Sequence, residues 1–191
     1  MEKKTESPIK AWDKSWTHIS TQRLVTLAML VALSIVLGRF SIQFTPEIRL
    51  SIVGFLPIAL AGALMGPMYG AMTGAMGDIL NYLLFNHAAG AYFPGYTLTA
   101  MLSGWWYGVL LYRHPLEKLS WKRIALCVIP ISIVCEIGLN SLWTYLLYSK
   151  TFWAKLPLRV LTNAIECPLK MVLLMLMSRA VSRFPKSLLK V

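Results

Sequence analysis

The stretch from Leu50 to Gly77 runs for 28 residues without a charged side chain. Uncharged runs of this length are typical of segments that cross a lipid bilayer, since each spanning helix needs about 20 residues. The whole chain shares this character, because 57% of its 191 residues are hydrophobic and only 14% are charged. Soluble domains carry about 25% charged residues. The sequence therefore predicts an all-α integral membrane protein.

Six apolar segments divide the chain into candidate transmembrane helices. The long run is interrupted at Gly66-Pro67, a pair that favours a tight turn between two helices. The predicted spans are 24–38, 50 to the Gly66-Pro67 turn, 69–86, 96–112, 124–148 and 158–177. The stretch 41–49 is predicted as a loop, because Pro46 disfavours helix in the residue before it. A membrane domain at 23–184 then lies between a polar tail at 1–22 and a basic tail at 185–191.

The 19 basic residues are distributed unevenly between the two sides of such a bundle. Thirteen lie on the side that holds both termini and the connector between spans four and five, five lie on the other side, and Lys170 lies within span six. Because an excess of Lys and Arg marks the cytoplasmic side, both termini are predicted to be cytoplasmic. The net charge of +11 is then explained by topology and contact with anionic lipid headgroups, and no nucleic-acid partner is expected.

Polar residues recur at helical spacing within three of the spans. Such side chains are costly in lipid, so they are expected to face the interior of the bundle. Residues three or four apart share a helix face, which gives three polar stripes: Asp78, Asn81 and Tyr82; Glu136, Asn140 and Trp143; and Arg159, Asn163, Glu166 and Lys170. The stripes predict a cavity open to the outside, with Arg49, Lys155 and Arg159 at its rim.

Two interpretations of the deep charges stay open at this point. Glu166 and Lys170 are four residues apart, and Glu136 lies at a similar depth, so the three groups could be neutral pairs that hold helices together. They could equally contact a ligand. For Asp78, Asn140 and Asn163, which lie nearer the outside, the sequence favours ligand contact.

Aromatic and small residues add two further patterns. Tyr92, Phe93 and Trp143 lie near the polar stripes and could stack on a flat ring, although anchoring at the membrane interface is the simpler explanation. Glycines recur every four residues at Gly62, Gly66, Gly70 and Gly74, which favours close helix packing within the chain. Ala28 and Ala32 on the first span form a similar pair that could contact another membrane protein.

Signals of enzymatic or metal chemistry are sparse. The three histidines lie in the tail or in loops, and the chain has no HExxH, GxSxG or phosphate-binding glycine loop. The three cysteines lie in apolar stretches without a CxxC pair, so neither a zinc site nor a disulfide framework is expected. We therefore predict no catalytic residue, no metal and no cofactor, and no nucleotide hydrolysis by this chain.

A set of motifs in the first four spans resembles one protein family. The motifs are Arg49 followed by Gly54-Phe55-Leu56-Pro57, then Leu60-Ala61-Gly62, Gly66-Pro67, Gly70, Gly74 and Asp78, then Tyr92-Phe93-Pro94-Gly95-Tyr96-Thr97-Leu98, Gly104 and Tyr107-Gly108. They are similar to the folate-specific S component of energy-coupling factor (ECF) vitamin transporters. The resemblance extends more loosely over the last two spans, through Pro157-Leu158-Arg159.

The resemblance implies a six-helix subunit of the cell membrane that captures a vitamin outside and delivers it inward. Such a subunit docks on a transmembrane coupling protein and two ATPases, and an AxxxA motif in its first helix contacts the coupling protein; Ala28 and Ala32 fit that motif. The family's site lies near the outer face, which gives this candidate set: Arg49, Asp78, Asn81, Tyr92, Phe93, Pro94, Thr97, Asn140, Trp143, Arg159 and Asn163. Lys170 departs from the family, where a neutral side chain is expected.

The chemistry of the candidate residues favours folate among the vitamins. Asp78, Asn81 and Asn140 can bond the edge of a pterin ring, and Phe93 and Trp143 can stack on its faces. The glutamyl carboxylates of folate need cations, which Arg49, Arg159 or Lys155 can supply. The alternatives are an S component for another vitamin, a small intramembrane enzyme that uses Asp78, Glu136 and Glu166, and a channel-like or assembly protein without a ligand.

Overall fold

The structure is a computed structural model that describes residues 21–38, 42–45, 48–50, 53–86, 92–112, 119–148 and 152–182. The predicted basic tail at 185–191 and most of the predicted N-terminal tail lie outside these residues. Side-chain positions are described for these segments except in the two short strands, at residues 86, 148 and 182, and at most positions near the start of the last helix.

The described part of the chain contains six helices, as predicted. They are α1 (Thr21–Gly38), α2 (Phe55–Met65), α3 (Pro67–Asn81, continued by π-helical Tyr82–Asn86), α4 (Pro94–Leu111), α5 (Trp121–Pro130, π-helical Ile131–Leu139 and Asn140–Tyr148) and α6 (Phe152–Ser182). Three helical segments are long and apolar enough to cross a membrane: Thr21–Gly38, Trp121–Leu147 and Arg159–Val181.

The stretch between α1 and α2 is a hairpin, so its prediction as a loop was wrong. Strands β1 (Ile42–Thr45) and β2 (Ile48–Leu50) pair antiparallel, with Gln43 opposite Arg49. The sequence Ile-Gln-Phe-Thr followed by Ile-Arg-Leu alternates apolar and polar residues, which is the period of a strand. Strand β2 lies beside α6. We call the end of the bundle that carries this connection the hairpin end.

The predicted turn between α2 and α3 is confirmed at Gly66-Pro67. Gly66 has a φ of 111°, a left-handed conformation that a residue with a Cβ adopts only under strain, and its N–H donates to the carbonyl of Gly62. Pro67 begins α3, where its fixed φ suits a helix and its missing N–H removes no intrahelical bond. The two helices are therefore antiparallel neighbours with almost no connecting chain.

The glycine ladder packs α2 and α3 against α4. A Cβ on Gly62 would lie 2.8 Å from the backbone nitrogen of Gly108, and a Cβ on Gly104 would collide with the carbonyl oxygen of Gly70. Backbones approach this closely only where both helices lack side chains. The prediction that the ladder serves packing within the chain is therefore confirmed, and the seam fixes α3 and α4, both of which carry site residues.

Replacing Gly104 with Ala is expected to destabilise the bundle by about 1–3 kcal/mol, because the added Cβ must push α4 away from α3. Gly138 in α5 is the control, since its Cβ would meet only the carbonyl oxygen of Ile133 at 3.4 Å. Both changes gain similar helix propensity. Thermal unfolding in detergent should show a lower midpoint for Gly104→Ala than for Gly138→Ala, and equal midpoints would show that the seam tolerates a methyl group.

Helix α5 contains a wide turn that its sequence pattern did not predict. The N–H of Asn140 donates to the carbonyl of Cys135, five residues back, which is the bond of a π-helix. At α-helical spacing the buried face of Ile131 and Cys135 would continue to Gly138 and Leu142, but both of these are exposed. Ser141 and Thr144 are buried instead. The π-helical segment thus shifts the inward face of α5 by about one residue.

Candidate functional site

Helices α3 and α5 end at the hairpin end, and α4 and α6 begin there. This topology brings together the polar stripes that the sequence placed on separate helices. Asp78 and Asn81 come from α3, Asn140 and Trp143 from α5, and Arg159 and Asn163 from α6, while Pro94 is the first residue of α4.

The α3 and α4 side of the site is a hydrogen-bonded chain. The hydroxyl of Thr97 donates to Oδ2 of Asp78 at 2.6 Å, and the hydroxyl of Tyr92 is hydrogen-bonded to the same Thr97 oxygen. The ring of Tyr92 packs on that of Tyr82, with centroids 5.2 Å apart. Asp78 is thus a hydrogen-bonded carboxylate rather than an isolated charge, and the start of α4 is held against α3.

Phe93 and Trp143 form an aromatic pair between α4 and α5. Their ring centroids are 5.6 Å apart with planes inclined by 57°, and Trp143 Nε1 donates to the hydroxyl of Thr99 at 2.9 Å. Gly95 makes the approach possible, because a Cβ there would lie 2.6 Å from Trp143 Cδ2 and collide with Phe93. The bond to Thr99 fixes the indole plane, so a flat ligand would meet a preformed surface.

Arg159 lies deeper than predicted. It is only 8% exposed, and its guanidinium donates to the hydroxyl of Thr144 on α5 at 2.6 Å, which corrects its assignment to an exposed rim. The physical reason is the length of α6, which begins at Phe152 rather than near residue 158, so Arg159 lies about two turns inside the helix. The hydroxyl of Tyr96 lies 3.3 Å from the same Thr144 oxygen.

Three amide oxygens point into buried space at this end of the bundle. Within the described residues, Oδ1 of Asn81, Asn140 and Asn163 is buried and has no hydrogen-bond partner. The orientation of Asn163 is set by its Nδ2, which donates to the carbonyl of Arg159 at 3.1 Å. Buried polar atoms are normally satisfied, so these oxygens are expected to accept hydrogen bonds from a ligand or from water.

A buried ionic triad lies one helical turn further in. Lys170 is 4% exposed and donates to Glu136 on α5 and to Oε2 of Glu166 on α6, the latter at 2.5 Å. Both of the pairings considered from the sequence therefore exist. The triad links α5 to α6 directly below Asn140 and Asn163, since Glu136 precedes Asn140 by four residues and Glu166 follows Asn163 by three.

Two groups of predicted residues lie apart from this cluster or cannot be placed. Ala28 and Ala32 are exposed on α1, on the side opposite its buried Leu27, Leu30 and Val31. The backbone of Arg49 belongs to β2 and that of Lys155 to the first turn of α6, and their side chains lie outside the described residues. The small-residue face of α1 is thus available to another protein.

Sequence reasoning missed the hydroxyl groups that organise the site. Thr99 positions Trp143, and Thr144 joins Arg159 to α5 while donating to the carbonyl of Asn140 at 2.8 Å. A signal was present, since Thr144 continues the polar stripe of Asn140 by four residues. Threonine is common in helices as a simple packing residue, so the spacing alone did not single it out.

The arrangement can bind a flat, polar, anionic molecule. It combines an aromatic pair, buried amide acceptors and an arginine that is preorganised by Thr144, a combination typical of small-molecule sites. Among the described residues no group of three His, Cys, Asp or Glu side chains could hold a metal ion. The groups that are present supply recognition by stacking, hydrogen bonds and charge.

Comparisons with known proteins identify the class. The family model of the substrate-specific component of ECF transporters matches residues 22–178. A folate transporter FolT from Clostridium novyi is 32% identical over 151 residues, covering 79% of this chain and 84% of the relative. One from Leuconostoc mesenteroides is 29% identical, covering 86% of this chain and 88% of the relative. A crystal structure of FolT bound with folic acid superposes with a TM-score of 0.75 at 27% identity, covering 87% of this chain and 96% of that one.

The chain belongs to the family of substrate-specific, or S, components of ECF transporters. It is a six-helix, multi-pass membrane protein whose relatives come from bacteria, and the resemblance drawn from its sequence is confirmed. The family consists of transport subunits, which removes the intramembrane enzyme as an alternative.

Proposed function

We propose that this chain is the folate-capturing subunit of an ECF importer, with its binding site at the hairpin end. The observation that carries the proposal is that the Phe93 and Trp143 ring pair, Arg159 and the buried amide oxygens of Asn140 and Asn163 all lie toward the same end of the bundle. Folate needs each of these groups, and relatives that share most of this chain's length are named folate transporters.

The pterin ring of folate is flat and carries hydrogen-bond donors along one edge. Trp143 offers a large aromatic face whose orientation is fixed by Thr99, and stacking of this kind contributes about 0.5–1.5 kcal/mol beyond the burial of area. The amide oxygens of Asn140 and Asn163 accept hydrogen bonds from the ring edge. Together they would bind a pterin without any change of side-chain charge.

The glutamyl tail of folate carries two carboxylates. Arg159 is a described cation one helical turn from Asn163, and its guanidinium has further N–H groups beyond the one bonded to Thr144. Arg49 is the second candidate, because its strand lies beside α6. Arginine binds carboxylates through two parallel hydrogen bonds, so one or both residues would hold the tail.

Transport requires partner subunits, and membership of the ECF family implies which ones. The chain would take folate from outside, dock on a transmembrane coupling protein and two ATPases through the exposed face of α1, and release folate inward. Both termini would then lie in the cytoplasm, as the distribution of Lys and Arg predicts. In this scheme ATP hydrolysis belongs entirely to the partner subunits.

Titration of the purified chain with folate tests the proposal. We expect saturable binding at a stoichiometry of one, quenching of tryptophan fluorescence by the stacked ring, and no comparable binding of thiamine or riboflavin at the same concentrations. Mass spectrometry of the small molecules that copurify with the chain gives an independent answer. Tight binding of another vitamin with none of folate would reassign the substrate within the same family.

Replacing Arg159 with Ala is expected to weaken folate binding by roughly 10-fold to 150-fold, since a charge-assisted hydrogen bond contributes about 1.5–3 kcal/mol. Arg159→Lys should restore only part of the affinity, because an ammonium group cannot form the two parallel bonds. Calorimetric titration measures the folate affinity of both variants. Pteroic acid, which lacks the glutamate, is the control ligand, and Arg159→Ala should change its affinity little. An equal loss for both ligands would show that Arg159 does not hold the tail.

A further inference from the structure

Helix α5 loses a backbone hydrogen bond at Pro130. A proline has no N–H to donate to the carbonyl four residues before it, which here belongs to Leu126. The indole of Trp106 on α4 supplies a donor instead, since its Nε1 donates to that carbonyl oxygen at 3.3 Å. The next residue, Ile131, donates to the carbonyl of Val128, three residues back rather than four. A side chain of the neighbouring helix thus bonds the α5 backbone where the helix itself cannot.

The π-helical segment Ile131–Leu139 begins directly after this interruption. The bond from the N–H of Asn140 to the carbonyl of Cys135 closes it. Long helices bend sharply at prolines and at π-helical turns. Because both features follow one another here, residues 130–139 are the part of α5 that bends at the lowest cost in free energy.

The two halves of α5 on either side of this stretch are packed differently. Three side chains anchor the first half, Trp121–Pro130, in the core, where each is 0% exposed: Ile124, Cys127 and Val128. In the second half, Asn140–Tyr148, the buried side chains among those described are Ser141 and Thr144. The half that carries the site residues is therefore held less firmly than the half that carries none of them.

We propose that residues 130–139 are a hinge of α5 and that Trp106 is the positioning residue that fixes its angle. The α5 hinge then determines how the second half of the helix presents Asn140 and Trp143 to the ligand, so the proposal rests on the function proposed above. The physical reason is the cost of an unpaired backbone carbonyl in lipid. Any bend that moves Leu126 away from the indole N–H leaves its carbonyl without that donor.

Trp106 acts on the ligand only through α5. It lies twelve residues after Pro94 on α4, which is about 18 Å along the helix from the hairpin end. Its ring packs against the core cluster of the bundle. Its effect on binding is therefore separable from direct contact with the ligand.

Neighbouring tryptophans provide a matched pair of test variants. Trp106→Phe removes the indole N–H and keeps an aromatic ring in the core. Trp105 is the control, because it is 36% exposed and makes no hydrogen bond among the described residues. We expect Trp106→Phe to weaken folate binding by about 2-fold to 10-fold, as loss of one hydrogen bond does. Trp105→Phe should change folate affinity by less than about 2-fold.

A change at Pro130 makes the test specific to the missing bond. Pro130→Ala restores a backbone N–H for the carbonyl of Leu126, so the indole N–H becomes redundant. In that background Trp106→Phe should change folate affinity by less than about 2-fold, which is a non-additive result. A loss of equal size in both backgrounds would overturn the role of Trp106, because it would arise from packing rather than from the hydrogen bond.

Hydrogen exchange of the ligand-free chain tests the α5 hinge without folate. Trp106→Phe should speed amide exchange at residues 131–140 and leave exchange in α3 unchanged. If this variant does not yield folded protein, Pro130→Ala alone is measured, and it should slow exchange in the same stretch. Unchanged exchange at 131–140, or an equal change in all helices, would contradict the hinge. A parent chain that binds no folate would instead reject the proposed function.

Discussion

Replacing Ala28 or Ala32 with Trp is expected to abolish folate uptake while folate affinity stays within a few-fold of the parent. Both alanines are exposed on α1, on the face opposite its buried side chains. Small residues four apart let another helix approach the backbone closely, and an indole at either position prevents that approach. Neither residue belongs to the polar cluster at the hairpin end, so ligand capture should be unaffected.

The measurement pairs uptake with binding in the same variants. Uptake is followed in cells or vesicles that contain the coupling protein and both ATPases, and affinity is measured on the purified chain. Leu126→Trp on α5 is the control, because Leu126 is 53% exposed and lies far along the chain from the alanine pair. Uptake should survive in the control. A fall in binding that matches the fall in uptake would show that the alanine face is not a docking surface.

The sequence was sufficient to predict the helices and to place most of the candidate residues toward one end of the bundle. Uncharged runs and the Gly66-Pro67 turn located the spans. Helices are favoured in the bilayer core because they satisfy their own backbone hydrogen bonds. Polar residues within those runs were few, so their spacing of three and four identified the inward faces. The location of Asp78, Asn140 and Asn163 toward the same end of the bundle follows from that argument.

Two features could not be predicted, because each depends on local geometry that side-chain pattern encodes weakly. The π-helical segment of α5 alters which residues face inward, and its i to i−5 bond between Asn140 and Cys135 has no sequence signature comparable to a helix cap. The depth of Arg159 depends on where α6 begins, and helix ends are the least certain part of a sequence-based prediction.

The depth at which each type of polar residue lies determines the orientation of bound folate. Asn140 lies one helical turn further from the hairpin end than Thr144, and Asn163 lies one turn further than Arg159, so the backbone positions of the two asparagines are about 6 Å deeper than those of Thr144 and Arg159. Beneath them lies a triad with two carboxylates and one ammonium. A deep region rich in acceptors and negative charge repels the glutamyl carboxylates of folate and attracts the donor edge of its pterin.

We therefore predict that the pterin binds deep and the glutamate points outward. Pteroic acid should keep most of the binding free energy of folate and lose about 1.5–3 kcal/mol with the charge-assisted bonds of the tail, which is roughly 10-fold to 150-fold in affinity. The aminobenzoyl-glutamate fragment should lose far more. Burying about 150 Å² of ring surface contributes about 4 kcal/mol, and stacking adds about 1 kcal/mol, so its affinity should fall by a factor of at least 1,000 in order of magnitude.

Competition of both fragments with folate on the purified chain measures this difference directly. Trp143→Ala serves as the control variant, because it removes the stacking surface beside Phe93 and the donor to Thr99. It should weaken pteroic acid and folate in parallel and leave the weak binding of aminobenzoyl-glutamate almost unchanged. Tighter binding of aminobenzoyl-glutamate than of pteroic acid would reverse the orientation, since the carboxylates would then have to reach Arg159 from the deep side, past the acidic pair of the triad.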